Sequence, residues 1–133
     1  MKKTMQILSA ALMFATPVSA NGALSEYLWQ KRPIVVFADS EFDPLFVEQM
    51  ELLEAGLAEL EERDVVILTD TDTSETSELR RELRPRGFAI VLVGKDGGVK
   101  LRKASPWDVR ELSRNIDKMP IRQQELRAAG AVR

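Results

Sequence analysis

Acidic side chains follow two apolar segments of the chain that have the composition of β-strands. Asp39 comes just after the first segment, and Asp70 and Asp72 follow the second. If the two segments are neighbouring parallel strands, their carboxyl ends meet at one edge of the sheet. Oxygen ligands from two adjacent loops are what Ca²⁺ or Mg²⁺ requires. One hypothesis is therefore a carboxylate or metal-dependent enzyme site at Asp39, Asp70 and Asp72.

The same acidic residues also have a structural interpretation, which we favour. Asp43 and Asp72 are suited to cap helices. Four cations are expected at the same edge, where they would pair with the acids: Arg84, Arg86, Arg102 and Lys103. Paired carboxylates could also do acid/base work on a glycoside, but no set of aromatic residues accompanies them to stack against a sugar. We therefore expect no metal and no cofactor.

A second set of charged residues surrounds a glycine-rich turn at residues 94–98. We expect this turn to meet the end of the last predicted helix at the pole of the sheet opposite the acidic residues. An anion- or partner-binding surface would then be formed by Lys95, Asp96, Lys100 and Arg122, with backbone N–H groups from the turn. The alternative is a structural turn pinned to the helix end by an ion pair of Asp96 or Asp117.

The chain contains neither cysteine nor histidine. It therefore has no disulfide, no thiolate nucleophile, no imidazole base and no zinc site with the usual ligands. Hydrolase triads that need an imidazole are excluded as well. The groups left for chemistry are carboxylates, amines, guanidinium groups, hydroxyls and the single phenol.

Hydrophobic periodicity predicts an α/β domain. Continuous apolar runs at residues 34–38, 65–68 and 88–93 are typical of strands, the first two of strands covered on both faces. A fourth strand is expected at residues 99–102. Residues 46–60 carry a helical apolar stripe opened by Asp43 and Pro44. A second helix is expected to start within residues 72–75 and to end at Gly87, and a third to start in a capping box at residues 105–108 and to stop at Pro120. Asp96 and Gly97 predict a two-residue hairpin turn with positive φ at both positions.

The first 20 residues have the pattern of a cleaved signal peptide. Lys2 and Lys3 precede an apolar run of about half the length needed to cross a bilayer, and small residues lead to a cleavage site between Ala20 and Asn21. We expect a periplasmic or secreted protein with one domain at residues 21–133. Removing the leader, which carries two lysines and no acid, changes the formal charge from −2 to −4. This balance gives no reason to expect nucleic acid or a membrane as partner.

The predicted order, β-α-β-α-β-β-α after a short apolar helix, is that of a thioredoxin-like domain. Three stretches of the sequence, residues 32–38, 92–102 and 116–122, resemble the domain-of-unknown-function 4174 family. The most specific of them is Gly-Lys-Asp-Gly-Gly-Val-Lys, at residues 94–100, between apolar strands. The resemblance implies a thioredoxin- or peroxiredoxin-like fold in small secreted proteins, and no established activity or ligand. Ile121 departs from the family pattern, which often has a methionine there, and this is expected to be a tolerated exchange.

We therefore expect a thioredoxin-like domain without redox cysteines that acts as a non-enzymatic binding or scaffold module of the periplasm. Its partner would be a periplasmic or cell-envelope protein. Two rivals remain open at this point. One is the carboxylate or metal-dependent enzyme at Asp39, Asp70 and Asp72, and the other is a small-anion binder that uses Lys95 and Arg122.

Overall fold

A computed structural model describes residues 22–131 of the 133-residue chain. The predicted signal peptide, residues 1–20, and its junction Ala20–Asn21 lie outside the described residues. The elements in chain order are a 3-10 turn at Ser25–Tyr27, β1 at Arg32–Phe37, α1 at Pro44–Glu54, α2 at Leu57–Glu62, β2 at Val65–Asp70, α3 at Glu78–Leu83, β3 at Ala89–Val93, β4 at Val99–Lys103, α4 at Val109–Asp117 and α5 at Pro120–Ala131. Within residues 22–131, no helix has the length and hydropathy needed to span a membrane.

The four strands form one sheet in the order β2-β1-β3-β4. β1 pairs with β2 in parallel and with β3 in antiparallel orientation, and β3 pairs with β4 in antiparallel orientation. Phe37, the last residue of β1, lies opposite Asp70 on one side and Ala89 on the other. This topology confirms the predicted thioredoxin-like order.

The continuous apolar runs of β1 and β3 are explained by cores on both faces of the sheet. Alternate residues of a strand point to opposite faces. Ile34 and Val36 therefore pack in a core with Leu53, Leu60 and residues of α4, whereas Val35 and Phe37 pack on the other face. That second core contains Leu24, Leu83, Ala89, Val91 and Val93. All six residues of β1 are buried.

The first predicted helix is divided into two. α1 starts as expected, with Pro44 at its first position and the Asp43 carboxylate accepting a hydrogen bond from the Leu45 N–H at 2.9 Å. It ends at Glu54, and α2 begins after Gly56. A Cβ atom on Gly56 would lie 2.7 Å from Val109. The break therefore allows the backbone at Gly56 to pass directly against the start of α4.

The start and end predicted for the second helix are wrong. α3 is only six residues long, and its cap is Ser77, whose hydroxyl accepts a hydrogen bond from the Arg80 N–H at 3.1 Å. Asp72 instead accepts hydrogen bonds from Ser74 in the preceding loop. The residue that caps the end of the helix is Arg84, which is left-handed with φ 50°; Gly87 is left-handed as well, with φ 61°, but lies three residues further on.

The third predicted helix starts later than expected, and it stops before Pro120 as predicted. Its cap is Asp108, which accepts a hydrogen bond from the Glu111 N–H at 2.9 Å, so the helix starts three residues later than Pro106 suggested. It ends at Asp117, and Pro120 is the first residue of α5. Proline fits this first position because the N–H that it lacks would have no partner inside the helix. Residues 128–130 are part of this helix.

The hairpin between β3 and β4 is present, but its turn differs from the predicted type. The Gly97 N–H donates to the Gly94 carbonyl at 3.0 Å, and the Gly94 N–H donates to the Gly98 carbonyl at 2.9 Å. Gly97 has φ 87°, while Asp96 is not among the described residues with positive φ. This is a longer loop in which only the glycine is left-handed. The Asp96 side chain holds the loop by accepting a hydrogen bond from the Gly98 N–H at 3.0 Å.

Candidate functional site

Asp70, at the carboxyl end of β2, forms an ion pair with Arg80 of α3. The Arg80 Nε atom donates to Asp70 Oδ1 at 3.1 Å, the Ser77 hydroxyl donates to Oδ2 at 2.5 Å, and both charged side chains are only 11% exposed. Partial burial raises the pKa of Asp70, but the hydrogen bonds from Ser77 and Arg80 outweigh it and hold the pKa below its usual value. The carboxylate is therefore a charged structural partner of Arg80.

Arg80 also ties the two parallel strands together at this edge. Its Nη2 atom donates to the Ala38 carbonyl at 2.8 Å and to the Asp70 carbonyl at 3.1 Å. The guanidinium lies 5.4 Å from the centre of the Phe37 ring, within reach of a cation–π interaction. An acidic residue of this edge is thus paired with a cation, as predicted. Its cation is Arg80, however, and the ion pairs expected with Arg84, Arg86, Arg102 and Lys103 are not formed among residues 22–131.

The other acidic residues at this edge do not converge on a common point. Asp39 is exposed, and Asp72 is occupied by hydrogen bonds from the Ser74 N–H and hydroxyl, which lower its pKa. Among the described residues, no group of three or more acidic side chains is arranged to hold a metal ion. The structure therefore does not bring Asp39, Asp70 and Asp72 together as a cation site.

At the opposite pole, Lys95 is buried rather than exposed at its turn. Its side chain is 10% exposed, and its ammonium group lies 2.8 Å from Asp64 Oδ2 and 2.6 Å from Glu125 Oε2. The Lys95 contact lowers the pKa of Asp64. Glu125 also accepts a hydrogen bond from Arg32 Nη2 at 3.0 Å. Both carboxylates lie about 30 positions from Lys95 in the sequence, so these contacts form only when the chain folds.

Arg122 belongs to the same charged cluster. Its guanidinium lies 3.3 Å from Asp117, 3.5 Å from Glu125 and 3.7 Å from Glu62, and its side chain is 7% exposed. Asp117 also receives two hydrogen bonds at 3.0 Å from Arg63. These hydrogen bonds from Arg63 are the largest cause of the lowered pKa of Asp117. The Arg122 guanidinium is therefore engaged by carboxylates inside the fold.

Asp96 and Lys100 form a local pair at the hairpin. The Lys100 ammonium lies 3.0 Å from Asp96 Oδ2, and both side chains are more than one-third exposed. Neither residue contacts Asp117 or Arg122 through a hydrogen bond or ion pair among the described residues. The four residues proposed as one binding surface therefore separate into a buried pair of cations, Lys95 and Arg122, and an exposed hairpin pair. The turn is joined to the last helix, as the structural alternative expected, but through Lys95 and Glu125 rather than through Asp96 or Asp117.

A surface that the motifs did not indicate lies on α1. A groove of about 460 Å³ runs along the helix and β2, the edge strand of the sheet. We call it the α1 groove. It is lined by Phe46, Val47, Met50, Leu53, Leu57 and Ile67, with Glu51 and Glu54 as charged neighbours. A signal was present in the sequence, because Leu45 and Val47 are apolar but fall outside the helical stripe that enters the core.

The fold and these sites define a thioredoxin-like domain without cysteine. The model of the family described as "Domain of unknown function (DUF4174)" matches residues 23–125. The chain belongs to this family, which confirms the resemblance found in its motifs. Coiled-coil domain-containing protein 80 of Danio rerio is 29% identical over 140 residues, an alignment that covers 83% of this chain and 16% of that protein. The chain thus corresponds to a small part of that longer relative.

Solved structures support the same fold. The reduced 2-Cys peroxiredoxin of Plasmodium vivax superposes with a TM-score of 0.58 and 17% identity, over 77% of this chain and 83% of that chain. StoA of Bacillus subtilis gives a TM-score of 0.51 and 12% identity, over 65% of this chain and 82% of that chain. At such low identities the likeness extends to the fold alone.

Proposed function

We propose that this protein is an exported, non-enzymatic binding module that contacts a protein of the cell envelope through the α1 groove. The observation that carries the proposal is the exposed apolar lining of this groove. Val47 of α1 and Leu57, the first residue of α2, are 42% and 48% exposed. Phe42, just before α1, is 81% exposed. Large apolar side chains that are clustered and exposed commonly mark a surface used for association.

The composition of the groove favours a protein segment over a small polar ligand. Its lining is mainly apolar and includes two acidic residues, Glu51 and Glu54. An apolar segment flanked by lysine or arginine would complement both features, because apolar side chains supply burial and opposite charges at the rim favour encounter and orientation. The partner that this surface fits is therefore a basic, apolar segment of another protein.

Thiol chemistry plays no part in the proposed role. The loop between β1 and α1 consists of residues 38–43, and the whole chain lacks cysteine. We expect no reduction of insulin disulfides and no consumption of peroxide by the purified protein. Activity above that of a control sample that was boiled and centrifuged would contradict this part of the proposal.

The surface expected from the sequence, at Lys95 and Arg122, is not the one that we propose. Both cations are satisfied by Asp64, Asp117 and Glu125 inside the fold. Using them for a ligand would require these ion pairs to be broken first. The enzyme alternative has no comparable support, because Asp70 is engaged by Arg80 and Ser77.

Site-specific photocrosslinking in intact cells tests the groove. A benzophenone side chain placed at Val47 should yield a discrete adduct with one protein, whereas the same group at Arg81, an exposed residue of α3, should not. Leu57→Glu, which places a carboxylate in the groove at a half-exposed position, should remove the adduct without changing the melting temperature. Equal adducts from Val47 and Arg81, or an adduct unaffected by Leu57→Glu, would overturn the proposal.

A further inference from the structure

We propose that a second groove, at the sheet end where β1 and β2 finish, binds a small organic anion. The groove has a volume of about 560 Å³ and lies between the end of α3, the start of β3 and the end of β4. We call it the arginine groove. Its ligand would have an oxyanion head group, such as phosphate or carboxylate, on a short apolar body. The inference does not depend on the α1 groove, because the two share no lining residue.

The charge of the lining is the first reason. Four cationic residues contribute to the groove, and they are Arg84, Arg86, Arg102 and Lys103. The single acidic residue in the lining is Glu82, whose Oε1 atom accepts a hydrogen bond from the Ala23 N–H at 3.0 Å. The chain as a whole is acidic, with a formal charge of −2. Cations concentrated in a concave site of an acidic protein attract an anion to that site.

Two of the four cations are held in place by the fold. The Arg102 Nη2 atom donates to the Leu83 carbonyl at the end of α3, at 2.6 Å. The Lys103 ammonium lies 5.0 Å from the centre of the Trp107 ring, a distance suited to a cation–π interaction. Neither contact neutralises the positive charge, so both side chains remain oriented cations when the groove is empty. Donors oriented in advance lose less freedom when a ligand binds.

The other two cations have no counter-ion in the part of the chain that the structure describes. Within residues 22–131, the guanidinium groups of Arg84 and Arg86 form no ion pair, and both residues are exposed. Arg84 also has a left-handed backbone, with φ 50°, which is uncommon for a long side chain. A guanidinium presents five N–H donors in a planar fork that matches the oxygens of carboxylate or phosphate. These two arginines are therefore the available donors.

The base of the groove is apolar. Leu83, Phe88 and Ala89 contribute to the lining and are 5%, 6% and 5% exposed. Such a base offers nothing to an inorganic ion, but it can cover the carbon atoms of an organic one. The volume falls within the range of sites for small molecules. An apolar base beneath a cationic rim therefore selects a compact amphipathic anion in preference to a free inorganic ion or a polyanionic macromolecule.

Isothermal titration of the full chain at low salt tests this inference with hexyl phosphate and hexanoate as probes. At least one of them should bind with a dissociation constant below about 1 mM, whereas hexan-1-ol and inorganic phosphate should each bind at least about tenfold more weakly. The comparison with the alcohol measures the charge requirement, and that with phosphate measures the apolar requirement. Absence of binding by both amphipathic probes at several millimolar would overturn the inference. Equal binding of inorganic phosphate would overturn its apolar part.

Variants locate the site. The double variant R84Q/R86Q should weaken the better probe by at least about tenfold, because it removes both free guanidinium forks. R110Q/R127Q is the matched control, since it removes two positive charges from exposed positions on α4 and α5 outside the groove. A thermal melt of each variant verifies folding. If R110Q/R127Q weakens binding as much as R84Q/R86Q, the effect is one of net charge and the assignment to this groove is wrong.

Discussion

The Lys95 ammonium lies 2.6 Å from the Glu125 carboxylate, and this contact joins the hairpin turn to the last helix of the fold. Asp64 lies 2.8 Å from the same ammonium on its other side. A lysine that its glycine-rich neighbourhood suggested to be exposed is therefore a buried link between three parts of the chain.

The first prediction follows from this burial. Lys95→Ala should lower the free energy of unfolding by about 1 to 3 kcal/mol, because it leaves Glu125 and Asp64 without their shared cation. Lys100→Ala is the matched control and should cost less than about 1 kcal/mol, since its pair with Asp96 is exposed to solvent. Urea unfolding of both variants measures the difference. Equal and small effects would contradict the structural role of Lys95.

The turn itself gives a second prediction. Gly97→Val should destabilise the protein by about 1 to 3 kcal/mol, because a β-branched residue is strained at positive φ and its Cβ would lie 2.9 Å from Leu28. Gly98→Ala, one residue later and without positive φ, should have a much smaller effect, and thermal melts compare the two. A harmless Gly97→Val would mean that the turn is built differently.

The Asp70–Arg80 pair predicts a pH dependence. Since the folded-state pKa of Asp70 lies below the ordinary value of 3.8, its ion pair stabilises the fold above that value. The stabilisation is lost as the pH falls through the folded-state pKa. Asp70→Asn should therefore cost about 1 to 3 kcal/mol at pH 7, and its difference from the unaltered protein should shrink between about pH 5 and pH 2. Urea midpoints measured across this range check the sign, and a constant difference would refute it.

The separation of the acidic residues at the same edge predicts indifference to divalent cations. Because Asp70 is engaged by Arg80 and Asp72 by Ser74, millimolar Ca²⁺ or Mg²⁺ should leave the melting temperature nearly unchanged. A ligand at 100 times its dissociation constant would stabilise the fold by about 2.7 kcal/mol, which a melt detects readily. A rise of several degrees would restore the metal hypothesis and point to Asp39, Asp70 and Asp72.

The strands and their order could be predicted because they depend on local composition. The runs at residues 34–38 and 88–93 are apolar at every position, as expected of strands covered on both faces. The break in the first helix could not be predicted, since Gly56 is needed for a contact with Val109, 53 positions further along the chain. The predicted ends of the second helix and the predicted start of the third were wrong because each region contains several residues able to form a cap, and contacts with the rest of the fold decide which of them does.

The candidate sites were harder to predict than the fold. The sequence shows where the charged residues are, but it does not show which of them form ion pairs with each other. Lys95 finds Asp64 and Glu125 about 30 positions away on either side. Arg32, at the start of β1, is fully buried. The one feature of the sequence that indicated this burial was the position of a charged residue next to an apolar strand. The four cations assigned to the acidic edge do lie at that end of the sheet. They line the arginine groove, however, and do not pair with Asp70, whose ion-pair partner is Arg80.

The ion pair between Arg32 and Glu125 spans 93 positions of sequence and therefore bears on the order of folding. Arg32 begins an inner strand of the sheet, yet its carboxylate partner lies in α5. A chain that lacks α5 would have to bury this guanidinium without its counter-ion, and that is costly. Formation of the native sheet is therefore coupled to docking of α5, although this helix is not part of the sheet. Truncation before Glu125 should destabilise the fold.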